Sequence, residues 1–479
     1  MSYVHGVYAS LGATQHASPA ASSSIPVYIG SAPLHLAAHP ATVNEPVLIS
    51  SWADAIDKLG MAWDFTRYDL SEAVFAHFGR AQAVGPIVAI PVFDPAVMRV
   101  EQKVTASVTM ANGLGYITDM DAIPDTIAIS GKALGTDFSL TVDVTGGRIA
   151  VKDLAGTMSS PVSITYTKAD PSKVTAVRVV GENSDGNVTG IQALSLVYPL
   201  IGVVPSMVCA PRFAGDADVY TALSAAAEAV SDKFKCIVLA NIPSASGTGA
   251  RTVETAIAKK AALGMIQEGT VVCWPMVKIS ARVIHAAVAW IVRQMQVDNA
   301  AGGLPYESAS NKVLEDVSGV CFEGDAGTVV TLTAANQLNA AGITTVMCWG
   351  GSWRIWGAHS AAYVSGGDFD ERAEFIGNMR MMYYICNEIT VKYWDEIDKP
   401  ITKNMRETLV TGIQGWLDGL KSSGALCYGV CALDDTVAGD SDMTRFAISL
   451  SCAVTSVPPL EAINVKVCYT SEGIEYIFE

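Results

Sequence analysis

The sequence predicts a multidomain chain of α/β and α+β character: a layered α/β core with an inserted all-β domain, then a C-terminal α+β domain, with extended terminal arms. Three observations carry this. Short apolar runs alternate with helical stripes on both sides of a central stretch. Between Met98 and Gly190 the helical period gives way to period-two alternation. Each end of the chain carries a short apolar run too isolated to bury itself.

The first segment, Met1 to Ser24, is small and aperiodic. Val4, Gly6 and Tyr8 alternate as a brief strand, and Ala17 to Ser24 is a Ser/Ala/Pro linker. Pro26–Gly30 then predicts a buried strand. Trp52, Ile56 and Leu59 share a helical face, with Ser51 as N-cap and Gly60 as the stop. A second helix runs from about Leu70 to Phe78, and Gly85 to Phe93 is an apolar strand. In the β-rich stretch, Phe138, Leu140, Val142 and Val144 alternate, Gly146-Gly147 marks a turn, and Val162, Ile164 and Tyr166 alternate again.

The α/β pattern resumes after Gly190. Val203–Ala210, Cys236–Ala240 and Val271–Pro275 predict strands, with the stripe Val219, Leu223, Ala226, Ala227 and Val230 between the first two. Further on, Ile343–Val346 and Trp353–Trp356 predict a hairpin about Gly350-Gly351, followed by two long helices. The second carries Met405, Leu409, Ile413, Trp416 and Leu420 on one face, with Asn404 and Glu407 as a capping box and Gly424 beyond its end. Phe446–Cys452 and Ile463–Cys468 predict strands, and the chain closes on Ile474–Phe478.

Half of the 479 residues are hydrophobic and only 16% are charged. This fits either a surface buried against partners or a large Ala-rich core. The net charge of −16, without a basic run, excludes broad nucleic-acid binding. Ten cysteines without paired metal spacing read as ordinary buried thiols of a reducing compartment, Cys427 and Cys431 included. The N-terminus lacks a basic n-region and an apolar h-region, so no secretion signal is expected. Lys278, Arg282 and Arg293 interrupt the apolar stretch Val271–Val297, which predicts no membrane span.

Motifs of catalysis are scarce. There is no Gly-x4-Gly-Lys loop and no Gly-x-Ser-x-Gly elbow. Gly247-Thr248-Gly249 follows a strand but lacks the third glycine of a dinucleotide fingerprint, and reads as a loop. Of the seven histidines only His35 and His39 stand four apart, with Pro40 directly after them, so no helical zinc pair is expected, and His285 reads as a satisfied core residue. Asp368, Asp370 and Glu371 read as a solvated loop or a helix start. No catalytic residue, metal site or cofactor is therefore expected.

The order of segments resembles the contractile phage tail sheath proteins. The resemblance rests on His5-Gly6-Val7-Tyr8, Pro26 to Pro33, Ala83 to Pro95, Gly190 to Leu194, Leu304 to Lys312, Trp353 to Ser360, Met379 to Met382 and Gly424 to Leu426. Met98–Gly190 matches only as an insert, and Ala358-His359-Ser360 stands where the family has a basic-hydroxyl step. The resemblance implies a structural subunit, not an enzyme. It implies stacked rings around an inner tube, contraction that drives the tube through a target envelope, and terminal arms that add strands to a neighbour's C-terminal sheet. Implied partners are further copies of the chain, the tube protein, and baseplate and terminator proteins, with no nucleic acid and no membrane insertion. The implied location is a tail or tail-like particle assembled in a bacterial cytoplasm. A headless bacteriocin or injection particle would use the same part, and an α/β enzyme with an inserted β-domain is the alternative from another class.

On this reading 1–24 is the N-terminal arm and linker, 25–97 and 191–335 the core, 98–190 an outward-facing insert, 336–470 a tube-facing C-terminal domain, and 471–479 the C-terminal arm. Val4, Val7, Tyr8, Ile474, Tyr476, Ile477 and Phe478 are the expected arm residues. Lys392, Lys399, Lys403 and Arg406 concentrate positive charge in an acidic chain and are expected to face the tube.

Overall fold

The computed structural model describes residues 24–184, 186–325, 327–434 and 447–471, with every side chain among them except that of Lys403. Strand β1 (Pro26–Gly30) is followed by β2 (Val47–Ile49), α1 (Trp52–Leu59), α2 (Asp69–Phe78) and β3 (Ile87–Pro91). Ser51 Oγ accepts the Asp54 amide at the start of α1. Gly60 ends the helix at φ 70°, where a Cβ would meet the Pro33 carbonyl oxygen at 2.3 Å. Only glycine suits that closing turn.

Strands β4 (Val104–Val108), β5 (Leu114–Ile117), β6 (Ala128–Ile129), β7 (Phe138–Asp143), β8 (Arg148–Asp153) and β9 (Val162–Tyr166) form two antiparallel three-stranded sheets, ordered β4-β9-β6 and β5-β8-β7. Their inward residues, among them Ile117, Phe138, Ile149, Val151 and Ile164, form a core of their own. Leu36 from the α/β layer joins it. Trp63 Nε1 donates to the Val144 carbonyl at 2.7 Å, and Tyr68 Oη donates to Asp121 at 2.9 Å. These tie the β-unit to the body. The β-texture does not reach Gly190. A short helix α3 (Ala176–Val180) and a two-stranded turn, β10 (Asn183–Ser184) with β11 (Asn187–Val188), intervene. Val174 and Val179 are buried in the α/β core. One turn of helix is too short to show a 3.6-residue period, so the sequence hides it.

The α/β layer is completed by α4 (Val197–Ile201), β12 (Met207–Cys209), α5 (Ala217–Ala227), β13 (Ile237–Asn241), α6 (Val253–Ala262) and β14 (Thr270–Cys273). The sheet order is β14-β13-β12-β1-β3-β2, parallel except for β2. β1, β3, β13 and β14 are buried along their whole length, as parallel strands covered on both faces must be. A second sheet pairs β15 (Met276–Ile279) with β16 (Arg282–Ile284) on one side. Helix α7 (Ala286–Ala300) follows, and β17 (Val317–Cys321) pairs with the other side of β15. Then come α8 (Leu332–Asn339) and the predicted hairpin, β18 (Thr345–Trp349) with β19 (Ser352–Trp356). The fold is thus mixed α/β and multidomain. Among the described residues no helix is long and apolar enough to cross a membrane.

Helix α7 lies at the centre and is buried on nearly every side, including Trp290, Gln294 and Asp298. Both its ends are held by charge. At its start, Glu72 of α2 accepts the His285 backbone amide and sits 2.8 Å from His285 Nδ1. His285 is therefore the N-cap of α7 rather than a residue within it. A carboxylate there meets the positive end of the helix dipole. Near its other end, Asp298 pairs with Arg380 of α9 (Ile376–Lys392), the side chains 0% and 3% exposed. Gln294 Nε2 donates to Asp298 Oδ1 and to the Glu307 carbonyl, each at 2.8 Å, and Gln294 Oε1 accepts the Ala309 amide.

The chain ends in α10 (Lys403–Ser422), β20 (Leu426–Leu433) and β21 (Leu450–Ser456). The N-cap of α10 is Thr402, whose hydroxyl accepts the Met405 amide at 3.1 Å. Asn404 already lies inside the helix, so the expected capping box with Glu407 does not form. Of the two strands expected here, Phe446–Cys452 is shifted to Leu450–Ser456, with Phe446 outside the described residues. Ile463–Cys468 is not a strand: it is exposed, and no described strand pairs with it.

Two outcomes follow. Asp298→Asn leaves Arg380 buried without its counter-charge, and urea unfolding should show a loss of about 3–5 kcal/mol; the apolar pair Asp298→Leu with Arg380→Met should lose less than that single change. Burial alone would lower the His285 pKa, but the charge and hydrogen bond of Glu72, with help from Asp69 and Glu323, raise it overall. Its contribution is therefore complete below about pH 6.5 and fades as pH rises through the raised folded value. Glu72→Gln should cost about 3 kcal/mol at pH 6, and the gap to the parent protein should narrow by pH 9.

Candidate assembly site

The C-terminal sheet is the place to look for an assembly site because it is incomplete. Within the described residues it has only two strands, β20 and β21. Their inner face packs on α9 and α10 through Met381, Ile385, Ile413, Leu417 and Cys431. Tyr428 and Val430, on the outer face, are 50% and 38% exposed.

The two edges of this sheet differ. Gln414 of α10 donates from Nε2 to the Gly429 carbonyl at 3.2 Å and accepts the Cys431 amide on Oε1 at 2.8 Å. One glutamine thus occupies the outer edge of β20 as a strand would. Along an antiparallel strand, the N–H and C=O of one residue face the same edge and successive residues alternate. Gly429 and Cys431 face α10, so their cross-strand partners Val454 and Cys452 face the outer edge of β21. No described strand pairs with that edge.

Beyond β21 the chain runs extended. Residues 460–471 are all exposed, and Ile463, Val465, Val467 and Tyr469 are 76%, 76%, 90% and 86% exposed. Their spacing of two puts them on one side, with Asn464, Lys466, Cys468 and Thr470 on the other. The root of this segment is pinned. His359 stacks on Tyr363 and Phe375, its Nδ1–H donates to the Glu374 carbonyl at 3.1 Å, and its Nε2 lies 2.9 Å from Glu461. Between α9 and the end of β21 lies a groove of about 650 Å³, lined by Asn378, Met381, Met382, Ile385, Val454 and Ser456 among others.

The expected arm residues Val4, Val7, Tyr8, Ile474, Tyr476, Ile477 and Phe478 all lie outside the described residues. The expected tube-facing residues gather at the junction of α9 and α10. Lys392 is exposed, with Nζ 5.4 Å from the centre of the Trp416 ring. Lys399 is exposed and pairs with Glu396 at 3.0 Å. Arg406 is exposed on the first turns of α10, and the Lys403 side chain is not described. The same junction exposes Trp394, Ile397 and Ile401 at 54%, 66% and 47%. A reading by charge passed over these, although apolar residues among Asp395, Asp398 and Pro400 are a signal in themselves.

Chemistry of catalysis is thin. No group of His, Cys, Asp and Glu among the described residues is arranged to hold a metal ion. All ten cysteines are free. The expectation that they are all buried fails for four of them: Cys348, Cys386, Cys427 and Cys468 are exposed, because they fall at a hairpin tip, on a helix surface and on outward or extended positions.

No protein-family model matches the chain. It is 26% identical over 469 residues to the tail sheath protein of Burkholderia phage BcepMu, covering 93% of this chain and 92% of that one. It is 21% identical to the tail sheath protein of Escherichia phage P2, over 73% of this chain and 87% of the other. Its fold is similar to the helical sheath of the anti-feeding prophage in the contracted state, with TM-score 0.55 at 14% identity over 98% and 100% of the two chains. It is also similar to the contracted PVC sheath of an extracellular contractile injection system, with TM-score 0.56 at 12% identity over 98% and 99%. The chain is thus similar along nearly its whole length to a tail sheath protein, and it shares the fold of contractile sheath subunits.

Proposed function

We propose that copies of this chain stack as rings around an inner tube and are linked by exchanged arms. Contraction of that lattice drives the tube through a target envelope. The carrying observation is that, among the described residues, one chain holds both an open strand edge, the outer edge of β21, and an exposed alternating segment without a partner strand, Ile463–Tyr469. The described residues of a single copy leave both unsatisfied, and a second copy satisfies both by β-augmentation. On this reading the C-terminal arm starts at about residue 457, well before 471. The N-terminal arm, with Val4, Val7 and Tyr8, joins the same lattice.

The remaining assignments follow from this layout. The β4–β9 unit, with its separate core, faces outward. The α9–α10 junction faces the tube, where Lys392, Lys399, Lys403 and Arg406 meet acidic groups and Trp394 and Ile397 add apolar contact. Baseplate and terminator proteins close the two ends of the stack. Contraction uses no catalysis or nucleotide: the energy resides in a metastable extended lattice set at assembly.

Deleting residues 457–479 should leave a folded, soluble subunit that forms no tubes in negative-stain micrographs, and normal tubes from that truncation would sink the arm assignment. Val454→Pro removes an amide facing away from β20, so far-UV circular dichroism should stay unchanged while tube formation fails. At the other surface, Lys399→Glu with Lys403→Glu should weaken co-sedimentation with the tube protein without lowering Tm. Unchanged co-sedimentation would remove these residues from the tube interface.

A further inference from the structure

Cys431 of β20 and Cys452 of β21 are direct cross-strand partners. The Cys431 amide is spent on Gln414, so the two strands exchange no backbone hydrogen bonds at this pair. Such non-hydrogen-bonded positions bring Cα atoms to about 4.5 Å with side chains on one face. That lies within the span of roughly 4.4–6.8 Å that a disulfide bridges. Both side chains are on the inner face, against α9 and α10.

We infer that Cys431 and Cys452 form an oxidisable dithiol whose disulfide fastens the two strands of the C-terminal sheet. The oxidant is a small-molecule disulfide such as oxidised glutathione. Cys452, the more exposed of the two, loses its proton and attacks one glutathione sulfur, and a glutathione thiolate leaves. Cys431 then loses its proton and attacks the Cys452 sulfur, releasing the second glutathione. Two protein thiols are oxidised and one glutathione disulfide is reduced to two thiols. Burial, with the hydrogen bond and charge of Cys431, pushes the Cys452 thiol up to about 12. The pair therefore persists as thiols in a reducing cytoplasm and closes slowly in an oxidising medium. Closure would fix the register of the strand whose outer edge is proposed to receive an arm. The chemistry itself does not depend on that proposal.

The test uses the full chain. It is incubated with oxidised glutathione at pH 7, 8 and 9, alkylated, digested and weighed. The expected product is a peptide pair joined through Cys431 and Cys452, lighter by two hydrogens than the free peptides, with a higher Tm than the reduced chain. Its rate of formation should rise about tenfold per pH unit, following the thiolate fraction. In Cys431→Ser the reaction should halt with glutathione still on Cys452. Recovery of both cysteines fully alkylated overturns the inference. So does a bond from Cys452 to Cys386 on α9, the other thiol close enough to feel its charge. A disulfide that forms while tubes assemble as before would leave the chemistry standing and deny it a role in the lattice.

Discussion

The Asp298–Arg380 pair is the contact from which the C-terminal third hangs. It joins the most buried helix of the α/β layer to the first helix of the C-terminal unit, with almost no access to water. Removing two charges from solvent costs several kcal/mol per ion, and the cost is offset only when the remaining donors and acceptors are also satisfied. Here they are. Gln294 supports the carboxylate, the Gly303 amide donates to the Asp298 carbonyl at 2.7 Å, and Arg380 reaches the Pro305 carbonyl at 3.4 Å. Gln294 then continues to Glu307 and Ala309. The loop from Gly303 to Ala309 therefore has its shape dictated by the ion pair, and α9 has one angle relative to α7. A hydrophobic joint of equal area would be as strong but would tolerate sliding. For a subunit that transmits force, a directional joint is the more useful one.

From that fixed helix the properties of the terminal sheet follow. Helices α9 and α10 cover one face of β20 and β21, and Gln414 seals the edge of β20. The fold thus spends one side chain to close one edge and leaves the other open. Isolated two-stranded sheets are marginal in water, so a third strand gains both backbone pairing and an apolar floor. The segment after β21 has the right character for that role in another copy. It cannot fold back onto its own edge while Glu461 is held at His359, since only a few residues separate this anchor from the end of β21.

Much of this was legible in the sequence where one chemical signal dominated. Pro26–Gly30 is an unbroken apolar run between turn residues, and it is β1 to the residue. Trp52–Leu59 carries its cap, its stripe and its stop, and forms α1 with those bounds. The hairpin around Gly350-Gly351 is equally plain. Legibility failed where tertiary contacts overrode local pattern. Leu426–Leu433 contains two cysteines, each two residues from Gly429, and no clean alternation, because Gly429 faces Leu417 and needs no side chain of its own. Ile463–Cys468 alternates perfectly yet pairs with no described strand, since period two records what a segment can pair with and not whether the partner is in the same molecule. At the start of α10 the Asn404 and Glu407 spacing matches the capping-box motif, yet backbone geometry selects Thr402, which is extended at φ −125° while Asn404 is helical.

The same distinction explains why the charge-poor composition admitted two readings. The α/β core does account for a large share of the apolar residues, Ala included, and needs no partner to do so. Among the apolar residues it does not absorb, three groups are clustered: Ile463 to Tyr469, Trp394 to Ile401, and the outer face at Tyr428 and Val430. Scattered exposed apolar residues are ordinary on any protein. These three groups instead fall at a strand edge, on an extended segment and at a helix junction that carries basic residues. Each place can be satisfied by another polypeptide in a different way: backbone pairing for the first two, and mixed charge and apolar contact for the third. Backbone pairing is independent of side-chain identity along the strand, so it tolerates rotation of one subunit against the next without a change of partner. Side-chain contacts are geometry-bound and are the ones that a change of ring spacing would break. In the proposed sheath the arms are then the links that persist through contraction, and the α9–α10 junction is the surface that must let go.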